Sequence, residues 1–140
     1  MERVRTAVVD GQGGGVGKVL VEKLRQAFGD RLTIIGLGTN SIATSLMLKA
    51  GADEGATGEN AIVVNAGQAD FILGAAGIVA ANSMLGELTP AMATAIASSR
   101  AEKILIPFNR CQLRFVGVRN QPFSSHIDEA VHALREMLQA

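Results

Sequence analysis

The start of the chain shows a change in the spacing of its apolar residues. Residues 4–9 form a short apolar run rich in β-branched side chains, which is typical of a buried strand. After a glycine-rich turn, apolar residues recur at helical spacing, at Val16, Leu20, Leu24 and Ala27. The pattern predicts a strand, a turn and a helix, which is the first half of a βαβ unit.

The rest of the chain alternates between predicted strands and predicted helices. Further strands are predicted at residues 32–37, 70–74, 103–108 and 112–118. Further helices are predicted at residues 41–50, 59–66 and 90–98, and from the Ser125-His126-Ile127-Asp128 capping box onward. Residues 52–58 are either a loop or a very short strand. In the helix at 41–50, Ile42, Leu46 and Ala50 are expected to face inward.

This alternation predicts the fold class. The chain of 140 residues is expected to form one α/β domain, a three-layer αβα Rossmann-like fold with a mostly parallel sheet of about five strands. Ligands of such sheets bind beyond the carboxyl ends of the strands. Four predicted turns lie at that edge, at residues 11–17, 38–41, 74–77 and 109–111.

The turn Gly11-Gln12-Gly13-Gly14-Gly15-Val16-Gly17 indicates phosphate binding, because glycines expose backbone N–H groups at a helix N-terminus. Known patterns fit it only in part. The dinucleotide fingerprint meets Val16 at its third glycine, and the P-loop pattern meets Gln12 at its first glycine and Val19 at its hydroxyl. The alternative is a turn whose glycines serve only close packing of strand and helix.

Two partial resemblances of this turn lack their catalytic or signature residues. The spacing Gly11-x-x-x-Gly15-x-Gly17 resembles the turn of short-chain dehydrogenases, but the chain has no tyrosine for their catalysis. The stretch from Gly13 to Lys18 resembles the deviant Walker loop of ParA-type ATPases, but Gly13 stands where that family has its lysine.

The end of the second predicted strand argues against ordinary NAD or NADP binding. Dinucleotide enzymes carry an acid there for the ribose hydroxyls, and this chain has Gly36-Leu37-Gly38-Thr39-Asn40. Thr39, Asn40 and Ser41 could bind a phosphate or sugar through neutral hydrogen bonds.

Several other polar residues follow predicted strands. Asp10 could bind a ribose or a metal, but capping of the following turn is favoured. Glu87 could act as a base or bind a sugar, or could simply be exposed. Asn109, Arg110 and Cys111 follow a buried strand, where Arg110 could bind a phosphate and Cys111 could be a nucleophile.

Composition narrows the class of protein and the kinds of site. Formal net charge is zero and no apolar run approaches the roughly 18 residues of a membrane span, so neither nucleic acid nor a membrane is an expected partner. The acidic residues Asp53, Glu54 and Glu59 are better explained by a solvated loop than by a metal site. The single cysteine and the absence of a leader predict a cytoplasmic protein, and the 48% hydrophobic content favours a homodimer.

The chain as a whole resembles a family of small bacterial proteins filed as a domain of unknown function. The stretches that carry the resemblance are Val9-Asp10-Gly11-Gln12-Gly13-Gly14-Gly15, Leu37-Gly38-Thr39-Asn40, Ala43-Thr44-Ser45, residues 49–61, Ala81-Asn82-Ser83-Met84-Leu85-Gly86-Glu87, Ile104-Leu105-Ile106-Pro107 and Asn109-Arg110-Cys111. The resemblance implies a Rossmann-like domain and no established activity.

The expected function is binding of a nucleotide, a dinucleotide or a phosphorylated small molecule at the glycine-rich turn. The expected binding residues are Asp10, Gly11, Gln12, Gly13, Gly14, Gly15, Val16, Gly17, Thr39, Asn40, Ser41, Asn82, Asn109 and Arg110. Two alternatives remain open. One is a small transferase- or hydrolase-type enzyme that uses Glu87 or Cys111, and the other is a non-enzymatic regulatory or partner subunit.

Overall fold

The fold is described by a computed structural model for residues 3–107 and 112–139. These residues form five parallel strands: β1 (Val4–Asp10), β2 (Leu32–Gly38), β3 (Glu54–Thr57), β4 (Phe71–Ala75) and β5 (Glu102–Ile106). They also form five α-helices: α1 (Gly15–Phe28), α2 (Ser41–Ala50), α3 (Glu59–Ala66), α4 (Pro90–Ser98) and α5 (Phe123–Gln139). The predicted α/β class with a parallel sheet is confirmed.

The strand order in the sheet is β3-β2-β1-β4-β5. The chain first moves outward from β1 to β2 and β3, then returns past β1 to β4 and β5. The connection that follows β1 therefore crosses one face of the sheet, and the connection that follows β4 crosses the other face. The gap between these two strands is the topological switch point. The β1–β4 ladder ends at Val8 and Leu73, two residues before either strand ends.

Two hydrophobic clusters cover the faces of the sheet. On one face α1 and α5 pack together against β1, with a core that includes Leu20, Leu24, Ile127 and Leu134. On the other face α3 and α4 pack together, with a core that includes Ile62, Met92 and Ile96. Alternation along β1 sends Val8 to the first cluster and Val9 to the second, as a central strand requires.

The strand predicted at residues 112–118 is wrong, because the described residues between Gln112 and Pro122 contain no strand. The sheet still has five strands, because residues 52–58 contain the very short strand β3 rather than only a loop. Its sequence is poor in β-branched residues, but its backbone pairs with β2 from Ile35 to Gly38. Pairing to an existing strand therefore outweighed local propensity.

The predicted inner face of α2 is also wrong in part. Ile42 is 65% exposed, whereas Ala43, Thr44 and Met47 are buried. The cause is a sheet surface without side chains beneath the helix: a Cβ on Gly36 would lie 2.8 Å from the Met47 Cβ. Since α2 approaches the backbone closely, its smaller residues and Met47 turn inward.

The last helix begins earlier than its predicted capping box. The Pro122 carbonyl accepts hydrogen bonds from the N–H groups of Ser125 and His126, so α5 starts at Phe123 and Ser125 lies in its first turn. This shift matters for the site, because it places Phe123 at the end of the helix that faces the glycine-rich turn.

Candidate functional site

The glycine-rich turn at residues 11–17 joins β1 to α1 and fixes the start of that helix. The Gly14 N–H donates to the Gly11 carbonyl at 3.0 Å, and Gly14 is left-handed with φ of 78°. A side chain there would be strained and would also crowd the backbone of Ala43. Gly14 is therefore required by the fold.

Asp10, the last residue of β1, is a structural carboxylate and only 5% exposed. Its Oδ1 accepts the Gly11 N–H at 2.8 Å, and its Oδ2 accepts the Gly17 N–H at 2.6 Å. Burial raises the pKa of Asp10, and these two hydrogen bonds oppose the rise. The two hydrogen bonds connect the turn to the first helical residues of α1, which is the capping role that the sequence favours for Asp10.

A second carboxylate, Glu87, reaches the turn from the segment between β4 and α4. Its Oε1 accepts three hydrogen bonds: from the Thr39 hydroxyl at 2.7 Å, the Gln12 N–H at 2.8 Å and the Asn40 side-chain amide at 2.9 Å. The Thr39 and Gln12 bonds lower the pKa of Glu87 most, and burial only partly opposes them. An ionised, well-solvated carboxylate is a weak base at neutral pH, so this geometry favours a positioning role over proton transfer.

The neutral side chains after β2 are engaged by these internal contacts. The Asn40 Oδ1 caps α2 by accepting the Ala43 N–H at 2.9 Å, and its Nδ2 also donates to the Gln12 carbonyl at 3.0 Å. The Thr39 hydroxyl donates a hydrogen bond to Glu87. The sequence predicts that Thr39, Asn40 and Ser41 bind the ligand. In the structure Thr39 and Asn40 donate to Glu87, and Ser41 is exposed and is not among the residues that line the cavity described below.

Three backbone N–H groups of the turn have no hydrogen-bond partner within the described residues, those of Gly13, Gly15 and Val16. Gly15 and Val16 are the first two residues of α1, where N–H groups have no partner inside the helix. The helix dipole adds partial positive charge at this end. Together these three groups can bind one anion.

Two glycines of the turn have no structural reason to be glycine. A Cβ on Gly13 or Gly15 would meet no atom of residues 3–107 and 112–139 within 4 Å, and neither residue is left-handed. By contrast, a Cβ on Gly17 would lie 2.8 Å from the Asp10 Cβ, and one on Gly11 would overlap the Thr39 hydroxyl. The missing side chains at Gly13 and Gly15 leave room for a ligand to approach the backbone.

A cavity of about 640 Å³ opens beside these N–H groups. The turn forms one wall from Asp10 to Val16, and the end of β4 forms the floor. The remaining lining residues are Ala75, Gly77, Ser83, Met84, Leu85 and Phe123. Among the described lining residues Asp10 carries the only charged side chain, and the remainder of the surface is largely apolar.

The lining residues Ser83, Met84 and Leu85 belong to residues 80–88, which we call the cavity loop. Asn82, Met84 and Leu85 have φ of 67°, 57° and 55°, in the left-handed region. Asparagine tolerates this region, whereas for Met84 and Leu85 it costs roughly 1–2 kcal/mol each. The Asn82 N–H donates to the Leu88 carbonyl at 2.8 Å, and Glu87 ties the loop to the turn.

The structure brings together only some of the predicted binding residues. Those that line the cavity are Asp10, Gly11, Gln12, Gly13, Gly14, Gly15 and Val16. Gly17 is buried against Asp10, and Asn82 is exposed and outside the lining. Asn109, Arg110 and Cys111 lie outside the described residues.

Sequence reasoning missed the apolar side of the cavity. Ser83, Met84 and Leu85 follow the predicted turn at 74–77, so their position in the chain was a usable signal. Phe123 offered none, because its place in the cavity depends on where α5 begins and on how it packs beside α1.

The family comparison is decisive for classification. The model of a family described as "Domain of unknown function (DUF3842)" matches residues 5–139. The chain belongs to this family. The match confirms the resemblance drawn from the glycine-rich turn and the later motifs. No curated protein sequence matches the chain.

Solved structures provide a second comparison. One match is a crystal structure of a universal stress protein in complex with cAMP, at 18% sequence identity and a TM-score of 0.42. The alignment covers 74% of this chain and 97% of that chain.

Two further properties of the DUF3842 chain concern metal binding and membrane insertion. Residues 3–107 and 112–139 contain no group of three His, Cys, Asp or Glu side chains arranged to hold a metal ion. None of the helices in this part of the chain is long and apolar enough to cross a membrane.

Proposed function

We propose that this DUF3842 protein binds a nucleotide or another phosphorylated small molecule in the cavity beside the glycine-rich turn. One phosphate group rests on the N–H groups of Gly13, Gly15 and Val16. The organic part of the ligand lies between the cavity loop and Phe123. The observation that carries the proposal is the set of three N–H groups at the edge of an apolar cavity that have no partner in the described part of the chain.

The distribution of hydrogen bonds in the turn supports an anion site. The N–H groups of Gly11, Gln12, Gly14 and Gly17 all have partners inside the protein. The three that remain belong to exposed or half-buried residues at the first turn of a 14-residue helix. Oriented N–H groups of this kind bind phosphate well, because the helix dipole favours negative charge at the same place.

The apolar lining supports an organic group larger than phosphate itself. Met84, Leu85 and Phe123 supply an aliphatic and aromatic surface within the cavity. Small-molecule sites are typically lined by apolar side chains, with a few polar groups that fix the orientation of the ligand. A nucleobase or a comparable ring system fits both the surface and the volume of about 640 Å³.

The position in the sheet supports the same function. The cavity lies at the carboxyl ends of β1 and β4, where the chain reverses its direction of winding. Open α/β sheets bind ligands at such switch points, because loops leave the two strands toward opposite faces and a crevice remains between them.

The test compares glycine-to-alanine variants by calorimetry with AMP, ADP, NAD⁺ and inorganic phosphate. In Gly13→Ala and Gly15→Ala the new methyl group occupies the space that the phosphate needs. We expect affinity for the ligand that binds best to fall at least about tenfold, a loss of roughly 1.4 kcal/mol. Thermal denaturation should show no loss of stability, and Gly15→Ala should gain slightly because alanine favours a helix.

Gly67→Ala is the matched control. Gly67 is exposed, is not left-handed and has only one ordinary contact for a new methyl group, the Val64 carbonyl oxygen at 3.6 Å. The control should bind as the original chain does. Unchanged affinity in both Gly13→Ala and Gly15→Ala, or no binding of any phosphorylated probe at millimolar concentration, would contradict the proposal.

A further inference from the structure

We infer that Glu87 is a specificity-determining residue that restricts the proposed site to ligands with a single phosphate group. The inference rests on the proposed function and narrows its ligand class. Nucleoside monophosphates and phosphodiesters fit, whereas nucleoside diphosphates, triphosphates and dinucleotides with a pyrophosphate are rejected.

The first argument is that Glu87 occupies the next donor of the turn. A pyrophosphate that runs along a glycine-rich turn needs N–H groups on successive peptide units. The N–H that precedes Gly13 belongs to Gln12, and it already donates to the Glu87 Oε1 at 2.8 Å. The carboxylate therefore stands where a second phosphate group would bind.

The second argument is charge. Glu87 and Asp10 place two carboxylates around the anion site, and no Lys or Arg is among the described residues that line the cavity. The hydrogen bonds from Thr39, Gln12 and Asn40 keep the pKa of Glu87 low, so it is negative at neutral pH. Each additional negative charge on a ligand then meets repulsion from the Glu87 carboxylate.

The third argument is that Glu87 cannot simply move aside. Its carboxylate contacts residues that follow both β1 and β2, through Gln12, Thr39 and Asn40. Its backbone N–H also donates to the Met84 carbonyl at 3.1 Å, within the same cavity loop that forms the apolar wall. Withdrawal of the carboxylate would break its three hydrogen bonds together.

The experiment measures the ratio of two affinities, which a purely structural role of Glu87 would leave unchanged. AMP and ADP are titrated by calorimetry without divalent cations, with inorganic phosphate and pyrophosphate as a second pair. We expect the original chain to bind AMP at least about tenfold more tightly than ADP. Glu87→Gln removes the charge but keeps an oxygen that can accept from the Gln12 N–H, so it should lower the ratio clearly without bringing it to one.

Two further variants separate charge from position. Glu54→Gln removes a carboxylate from the exposed edge strand β3 and should leave the ratio unchanged. Glu87→Asp keeps the charge with a shorter reach, so it should retain the preference for AMP even if both affinities fall. If Glu87→Gln does not fold, the ratio in the original chain and in Glu87→Asp decides the question.

The outcomes for this inference and for the proposed function are distinct. Equal affinity for AMP and ADP in the original chain, or an unchanged ratio in a folded Glu87→Gln, overturns the inference and leaves the binding site in place. Binding of none of the four probes overturns the proposed function, and the inference falls with it.

Discussion

At the scale of single residues, the glycines of the turn separate into two groups. Gly11, Gly14 and Gly17 are glycine because a side chain would collide with neighbours or be strained. Gly13 and Gly15 face open space and keep their N–H groups unpartnered within the described structure. The sequence shows all five glycines alike, and only their contacts in the fold distinguish glycines needed for packing from glycines that leave room for a ligand.

Leu85 is the second residue whose conformation points to function. It is 96% exposed and left-handed, a combination that costs stability and buries little apolar surface in the unliganded protein. Replacement by glycine relieves the strain but also makes the unfolded chain more flexible. We expect the free energy of unfolding of Leu85→Gly to stay the same or rise by up to about 1 kcal/mol.

The same variant should weaken binding of AMP, because Leu85 supplies part of the apolar wall. Urea denaturation measures the first effect and calorimetry the second. Leu85→Asn is a useful companion, since asparagine tolerates the left-handed region and also lacks the apolar contact. A clear loss of stability in Leu85→Gly, or unchanged affinity in both variants, would argue that the residue has only a structural role.

At the scale of elements, Asp53 joins the amino-terminal ends of the sheet to α1. Its Oδ2 accepts the Arg25 guanidinium at 2.7 Å and the Ile34 N–H at 2.8 Å, and its Oδ1 lies 3.4 Å from Arg3. Burial would raise the pKa of Asp53, but the Ile34 hydrogen bond and the two arginines outweigh it and hold the pKa below 3.8.

Asp53→Asn should lower the free energy of unfolding by about 1 kcal/mol at pH 7, the scale of a partly exposed ion pair. Because the pKa is lower in the folded chain than in the unfolded chain, the carboxylate stabilises fully above 3.8 and loses this effect as pH falls through the folded value. Urea denaturation from pH 7 to pH 3 should therefore show the two proteins converging at acid pH. A difference independent of pH would contradict this account.

The comparison of sequence and structure is most instructive at this scale. Periodicity located β1, β2, β4 and β5 to within a few residues, because each carries an apolar run, and capping residues helped to locate helices such as α4, which begins after Thr89. It could not place β3, whose residues Glu54 and Gly55 lack that pattern and are held by pairing with β2. It also misjudged α2, where Gly36 in the neighbouring strand decides which helical face can approach.

At the scale of the whole molecule, the candidate site is assembled from three distant parts of the chain. The turn at 11–17 could be predicted from its glycines, and strand order places it beside the end of β4. The role of Glu87 and the contribution of Phe123 could not, because each depends on contacts across more than seventy residues or on the docking of α5. The homodimer stays a prediction.

The most direct measurement of the central claim is a ¹H–¹⁵N correlation titration of the labelled protein with AMP. We predict saturable shifts of the Gly13, Gly15 and Val16 amide signals, with Gly67 as an unaffected reference on the far side of the sheet. The same three signals should move with inorganic phosphate, since it engages the same donors. Saturable binding that moves other amides and leaves these three in place would contradict the account.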